Sequence, residues 1–202
     1  MNAMIRVTGY AAMVAMLAGC MSFGPQEPQR YYVLQAPSMK TGTAAARRNA
    51  TLLLTPTTVS GFYDTQEIVY SRAPGTRAYY QLHAWTERPG PRVTELLLTR
   101  LDHAASFRDV AMALSSVRGD WVLDTHLTEF YHDATQAPGN VRVTLVAELT
   151  DPAGRKLLAR RIFTRTAPVT TYDAPGAVDA FGRAVTVLLD EVAAWVELAA
   201  PR

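Results

Sequence analysis

The strongest constraint in this chain is the strict two-residue alternation that sets in after residue 120. Over residues 120–132 the side chains Trp121, Leu123, Thr125, Leu127 and Tyr131 share one side of an extended backbone. Asp124, His126, Thr128 and His132 fall mostly on the other. Pro138-Gly139-Asn140 supplies a turn, after which Val141, Val143, Leu145, Ala147 and Leu149 alternate with Arg142, Thr144, Glu148 and Thr150. A second turn at Asp151-Pro152-Ala153-Gly154 leads into residues 156–166, a third extended segment whose inward face the pattern leaves unassigned. Three strands joined by turns form a β-meander with one apolar face, and a second layer must cover that face.

Two stretches carry the helical period such a layer needs. After Pro89-Gly90-Pro91, the residues Val93, Leu96, Leu97, Leu101 and Ala104 recur at three- and four-residue spacing, with Phe107, Val110 and Leu114 expected to cap that layer. From about Gly176 to Ala199, Val178, Phe181, Val185, Leu188, Leu189, Val192, Trp195 and Val196 make an apolar stripe. Asp179, Arg183, Asp190, Glu191 and Glu197 lie elsewhere on that helix and exclude a membrane span. Upstream, Tyr31-Tyr32-Val33-Leu34 reads as a short strand and residues 40–49 as a polar loop. Residues 51–59 read as a strand broken at Pro56, and residues 67–72 and 78–84 as a hairpin around Ala73-Pro74-Gly75. The order strands, helix, strands, helix predicts a single α+β domain, a mainly antiparallel sheet with two main helices packed on one face. Composition agrees: 202 residues, 49% hydrophobic, 19% charged and a net charge of +2 describe one globular domain. Twenty Lys+Arg against 18 Asp+Glu are too evenly balanced for a nucleic-acid footprint.

The chain holds one cysteine, Cys20, which excludes an internal disulfide framework, a CxxC redox pair and a multi-cysteine zinc site. Arg6 precedes an uncharged run over residues 7–17, too short to span a bilayer, which needs about 20 apolar residues. The run closes on Leu17-Ala18-Gly19-Cys20, which resembles a bacterial lipobox. Residues 1–19 are therefore expected to be a lipoprotein signal peptide, and residues 20–29 a lipidated cysteine and extended tether. Residues 30–202 are expected to be a periplasmic α+β domain. The tether holds two prolines and a glycine and reaches at most roughly 30 Å. Met21 after the cysteine, in place of the aspartate that retains enterobacterial lipoproteins in the inner membrane, points to the outer membrane.

Candidate chemistry is sparse. His126 and His132 are six residues apart on one strand, about 20 Å, and cannot share a metal ion. Asp124 and His126, about 7 Å apart, make an incomplete ligand set. The expectation is a solvated strand face. Asp102-His103 and His132-Asp133 are adjacent pairs without a nucleophile, and GxSxG, HExxH and phosphate-cradling glycine motifs are absent. No catalytic, metal or cofactor site is expected. Arg155, Lys156, Arg160, Arg161 and Arg165 form the densest basic stretch, either a charged edge that blocks strand addition or a contact for anionic headgroups. Tyr31, Tyr32, Tyr63, Tyr70, Tyr79 and Tyr80 either line an apolar pocket or partner surface or are ordinary strand residues.

Several of these fragments line up together: Cys20, the Tyr31–Leu34 strand, Tyr79-Tyr80-Gln81-Leu82-His83-Ala84-Trp85 with Pro89 beyond, and the helix over 94–101 followed by Phe107 and Val110. The strand over 120–130 and the last helix, with Ala194-Trp195-Val196, complete the series. In order and spacing the chain resembles the ABC-type transport auxiliary lipoprotein family, the group containing paraquat-inducible protein C. Thr86-Glu87-Arg88-Pro89 departs from the family pattern in its loop. The resemblance implies a non-enzymatic envelope component, anchored to the membrane through acyl chains on Cys20. Its implied partners are an MCE-domain periplasmic protein and inner-membrane transporter components, working in lipid transport between the membranes of Gram-negative bacteria. A homo-oligomer would suit such a conduit, and no residue pattern fixes its copy number or the partner-binding residues.

Overall fold

One of the two longest strands, Trp121–Asp133, is also the spine of the sheet. The computed structural model describes residues 27–37, 47–114 and 116–201; Cys20, the expected signal peptide and most of the tether lie outside the described residues. Among them are nine strands, β1 (Arg30–Tyr32), β2 (Arg48–Leu54), β3 (Thr58–Val59), β4 (Glu67–Ser71), β5 (Ala78–Trp85), β6 (Phe107–Met112), β7 (Trp121–Asp133), β8 (Asn140–Asp151) and β9 (Lys156–Pro168). The helices are α1 (Pro89–His103) and α2 (Ala174–Ala199), with a 3-10 turn at Gly61–Tyr63. All nine strands join in one mixed sheet, a single-domain α+β fold.

The β7–β8–β9 meander is antiparallel, as the alternation predicts. The other edge of β7 is shared in succession by three strands, all parallel to it. Leu52–Leu54 of β2 lie opposite Trp121–Leu123, Thr58 and Val59 opposite His126 and Leu127, and Tyr70 and Ser71 of β4 opposite His132 and Asp133. The sheet therefore forks: one wing continues from β2 to β6 in parallel, the other from β4 through antiparallel β5 to parallel β1. Pro56, which cannot donate to a ladder, sits in the gap between β2 and β3, as its chemistry requires.

Two expectations need correction. Phe107 and Val110 belong to strand β6 and do not cap a helical layer, and Leu114 lies beyond it, 82% exposed. On β7, the register shifts between Leu127 and Glu129, and this bulge reverses the parity of every residue after it. Phe130 and His132 then pair with Val143 and Val141, both buried core residues of β8, while Tyr131 pairs with Arg142 on the opposite face. His132 is fully buried and does not lie on a solvated face.

Both helices start on local signals. Pro89 and Pro91 occupy the first turn of α1, where the missing N–H costs no intrahelical bond. Asp173 caps α2 by accepting from Gly176 N–H at 2.8 Å. At the centre of the core, the Phe181 ring of α2 stacks on Phe130 at 4.3 Å and meets Trp85 edge-on at 5.5 Å, so it joins the meander to the β4–β5 wing. The two helices are tied by Arg100, whose Nε donates to Asp190 Oδ1 at 2.6 Å, with 4% and 10% of the two side chains exposed. The same guanidinium donates to the carbonyls of Ala36 and Pro37, and Arg92 donates to Leu34 O, so the stretch after β1 is strapped along α1. Gly182 of α2 makes room for that stretch: a Cβ there would lie 2.7 Å from Gln35 O.

Candidate functional site

The most distinctive surface lies where the chain enters the fold. Between β1 with its following segment and α2 runs an open groove of about 840 Å³, walled by Tyr31, Tyr32, Val33, Val178 and Val187, with Arg183 and Asp179 on its rim. Gly182, which lets the backbone at Gln35 approach α2 closely, is itself part of the groove's lining. Tyr31 is 59% exposed, and Val33 and Val187 are also exposed.

A chain of aromatic contacts leads from this groove across the sheet. Tyr32 stacks on His83 and its hydroxyl lies 2.9 Å from His83 Nδ1; Tyr80 meets His83 edge-on, packs against Tyr70 and stacks on His132; His132 meets Tyr172 edge-on. His132 Nε2 lies 2.8 Å from Pro138 O, which can only accept. Nε2 therefore carries the proton, and Nδ1 accepts from the Tyr80 hydroxyl at 2.7 Å. Burial pushes the His132 imidazolium down and the Tyr80 phenol up to about 12, so both groups are neutral near pH 7. Asp173, beside this network, is held below the usual carboxylate range by Gly176 N–H and the Thr171 hydroxyl.

The aromatic chain depends on an irregularity in β5. Glu67 pairs with Ala84 and Val69 with Tyr79, so β5 carries extra residues between the two pairs. Within this bulge Leu82 has φ +59° and is 44% exposed. A leucine in the left-handed region is a strained, uncommon choice, and here it directs an apolar side chain outward beside the start of β1, where Arg30 pairs with His83.

The other sequence candidates do not converge. Asp124 and His126 line a polar cleft of about 400 Å³ on the sheet's outer face with Thr55, Thr58, Glu148 and Arg160. There Asp124 accepts from Thr55, His126 bonds Thr58 and Ser60, and Glu148 pairs with Arg160. His132 is on the opposite face. Asp102 and His103 are exposed at the end of α1. Among the described residues no group of three or more His, Cys, Asp or Glu side chains could hold a metal. Of the basic stretch, Arg155 lies in the turn and the other four residues on β9, an edge strand paired only with β8, where Arg165 binds Glu191 and Arg161 lies over the Phe163 ring. Of the tyrosines, Tyr31, Tyr32, Tyr70 and Tyr80 gather at the groove and its aromatic extension, while Tyr79 stacks on Phe62 and Tyr63 on Tyr131. Sequence reasoning missed His83, Leu82 and Tyr172; the available signal was Gly182, an isolated glycine inside an apolar helix, which marks a close approach.

The family model for the ABC-type transport auxiliary lipoprotein component matches residues 32–193. The chain belongs to that family. The match begins inside β1 and ends inside α2, so every residue lining the groove except Tyr31 falls within it. No curated protein matches the chain. Among solved structures, protein XCC0632 from Xanthomonas campestris has a TM-score of 0.76 at 19% identity, covering 84% of this chain and 96% of that one. The hypothetical protein CT253 from Chlamydia trachomatis has a TM-score of 0.53 at 10% identity, covering 74% and 96%. At these identities the likeness establishes the fold alone. None of the helices among the described residues is long and apolar enough to cross a membrane.

Proposed function

We propose that this chain is the outer-membrane lipoprotein subunit of an MCE-type, ABC-linked system that moves lipid between the two membranes of a Gram-negative envelope. Residues 1–19 are removed as a signal peptide and Cys20 carries the acyl chains. Residues 20–29 form the tether, and residues 30–202 form a periplasm-facing domain that docks the distal end of the MCE conduit and holds it in register. The observation that carries this reading is the family match over residues 32–193, lying just downstream of a lipobox-like cysteine. Two or three acyl chains anchor a protein stably where one does not, so the modified cysteine suffices as the membrane attachment. The domain's role is non-enzymatic positioning, in keeping with buried polar groups that are engaged in structural hydrogen bonds and with the scattered places of Asp124, His126 and His132.

Partner capture from crosslinked membranes tests it, using the wild type and Cys20→Ala. The wild type should label with palmitate and recover an MCE-domain protein, and the variant should do neither. Equal labelling of both forms overturns the anchor. Absence of an MCE partner, together with a normal envelope lipid distribution when the protein is deleted, overturns the docking role. The groove beside α2 favours a second reading, in which the domain itself carries lipid. Solvent extraction and mass spectrometry would then recover a bound lipid, and an empty domain rejects that reading.

A further inference from the structure

We infer that the face around the tether exit, built from Leu82, Tyr31, Val33, Val187 and Tyr172, rests in the headgroup–acyl boundary of the membrane that holds the anchor. This rests on the lipid-anchored reading of Cys20 and adds to it an orientation for the domain.

Three independent observations converge on this occupant. The first is the position of the exposed apolar side chains. Tyr31, Val33, Leu82, Tyr172 and Val187 are each more than two-fifths exposed; Tyr31, Val33 and Val187 line the groove, Tyr172 ends the aromatic chain, and Leu82 precedes His83 of that chain. Tyrosine suits a wet boundary because its ring is apolar and its hydroxyl is not, and arginine stems behave the same way. Arg30 and Arg183 are exposed beside these side chains, placed to meet phosphate groups.

The second is the length of chain between anchor and fold. Nine residues, 21–29, separate Cys20 from Arg30, and at full extension they reach about 30 Å. A path halfway around a domain with a radius of gyration of about 16 Å runs roughly 60 Å. The tether is therefore too short to let the pole opposite β1 rest on the membrane. The β9 edge, five strand spacings from β1 across the sheet and roughly 24 Å away, is among the parts of the sheet farthest from the tether exit.

The third is the strained backbone at Leu82. In the parallel register of β1 and β5, Arg30 lies opposite His83, so Leu82 stands beside the last tether residue before the fold. A chain that only needed a soluble turn there would take glycine or asparagine at φ +59°. Leucine at this position accepts backbone strain and exposure together, and both are offset when the side chain leaves water.

The test uses the full protein purified from membranes and placed in phosphatidylcholine–phosphatidylglycerol vesicles whose acyl chains carry bromine, a quencher of tryptophan. Tyr31→Trp, Leu82→Trp and Val187→Trp report the proposed face. Ile162→Trp on β9 and Leu114→Trp beyond β6 report distant positions that are more exposed still, and the wild type gives the background of Trp85, Trp121 and Trp195. The expected result is quenching at 31, 82 and 187 at least about twofold stronger than at 162 and 114, as insertion by about 5–10 Å requires. Uniform quenching, or none, overturns the proposal. A concentration-dependent blue shift at position 31 without lipid, and no quenching with it, assigns the face to a second copy of the chain and overturns the proposal too. Because Tyr31→Trp lies on regular strand backbone, it stays informative should Leu82→Trp fail to fold. Failure of the anchor reading would be seen separately, as protein extracted from membranes by aqueous buffer. Coupling the sole thiol, Cys20, to a maleimide lipid then reads out the face by itself.

Discussion

The two edges of β7 are paired in opposite ways. Along one, β8 and β9 follow in chain order, antiparallel, in ladders that run nearly the full length of each strand. Along the other, β2, β3 and β4 arrive from upstream, parallel, each holding two or three residues of β7. The meander side is held by ladder hydrogen bonds and by an unbroken apolar face, Val141, Val143, Leu145, Ala147 and Leu149, under α2. The forked side has short ladders and is fastened by side chains that reach across to backbone. Examples are Arg47 to Phe107 O, Arg48 to Glu197 O, Asp120 to Thr51 N–H, Arg92 to Leu34 O and Arg100 to Ala36 O. Continuous apolar burial stabilises one side, and directional polar bonds from a few long side chains stabilise the other.

That contrast breaks first at Phe181, which touches both sides. Truncating it to alanine empties the contact with Phe130 and with Trp85, and the expected loss is about 3–5 kcal/mol, read as a lower denaturant midpoint. If the two sides were separate cooperative units, the transition would split into two; a single transition makes them one. Arg100→Met probes the polar fastening of the forked side to α2. Leaving Asp190 buried without this partner should cost about 3 kcal/mol, and amide exchange should lose protection first around residues 34–37, whose carbonyls Arg100 and Arg92 hold. Arg100→Met with Asp190→Leu should regain most of the global stability and leave residues 34–37 unprotected, because the strap carbonyls remain without their donor.

His132 gives a smaller effect, read through pH. Its folded pKa lies below the ordinary value of about 6.5, with burial as the main cause. Below that ordinary value the unfolded chain binds a proton that the folded chain refuses, so stability falls as pH drops until the lowered folded pKa is reached. His132→Gln, which keeps a donor and an acceptor, should flatten this part of the stability–pH curve relative to wild type. An unchanged slope would mean that His132 is not held neutral by its site.

The same contrast decides what could be read from sequence. The meander was legible because one period governs each strand, and the α2 stripe because every third or fourth residue returns to one face. The bulge after Leu127 inverted the reading of Tyr131 and His132, since an extra residue leaves no mark on hydrophobicity. The inward face of β9 stayed unassigned because Arg161 and Arg165 share it with Phe163 and Ala167, lying over Phe163 and pairing with Glu191 on α2. Strand β6, Phe-Arg-Asp-Val-Ala-Met, has no alternation and pairs only with β2, from more than fifty residues upstream. The groove was invisible for a related reason: its walls come from residues 31–37 and 178–187, and only Gly182 hinted at their approach.

Leu82 sharpens the comparison at its smallest scale, because it is an apolar residue on the forked side that contributes to no core. On the meander, truncating a fully buried leucine such as Leu127 to alanine removes packing that collapses poorly, at about 2–5 kcal/mol. At position 82 two small terms oppose each other. Glycine relieves the left-handed penalty of about 1 kcal/mol or more for a residue with a Cβ, and it adds about 0.5–1 kcal/mol of backbone freedom to the unfolded chain. Leu82→Gly should therefore shift stability by less than about 0.5 kcal/mol in either direction. Leu82→Val, the milder change in polarity and volume, should destabilise more than Leu82→Gly, because a β-branched side chain tolerates φ +59° least. That inversion of the usual order, measured by denaturant unfolding, would show that conformation and not packing sets the energetics of this bulge. If the ordinary order holds, with valine the milder change, the leucine is held by contacts and the strain at this position is not what places it outside.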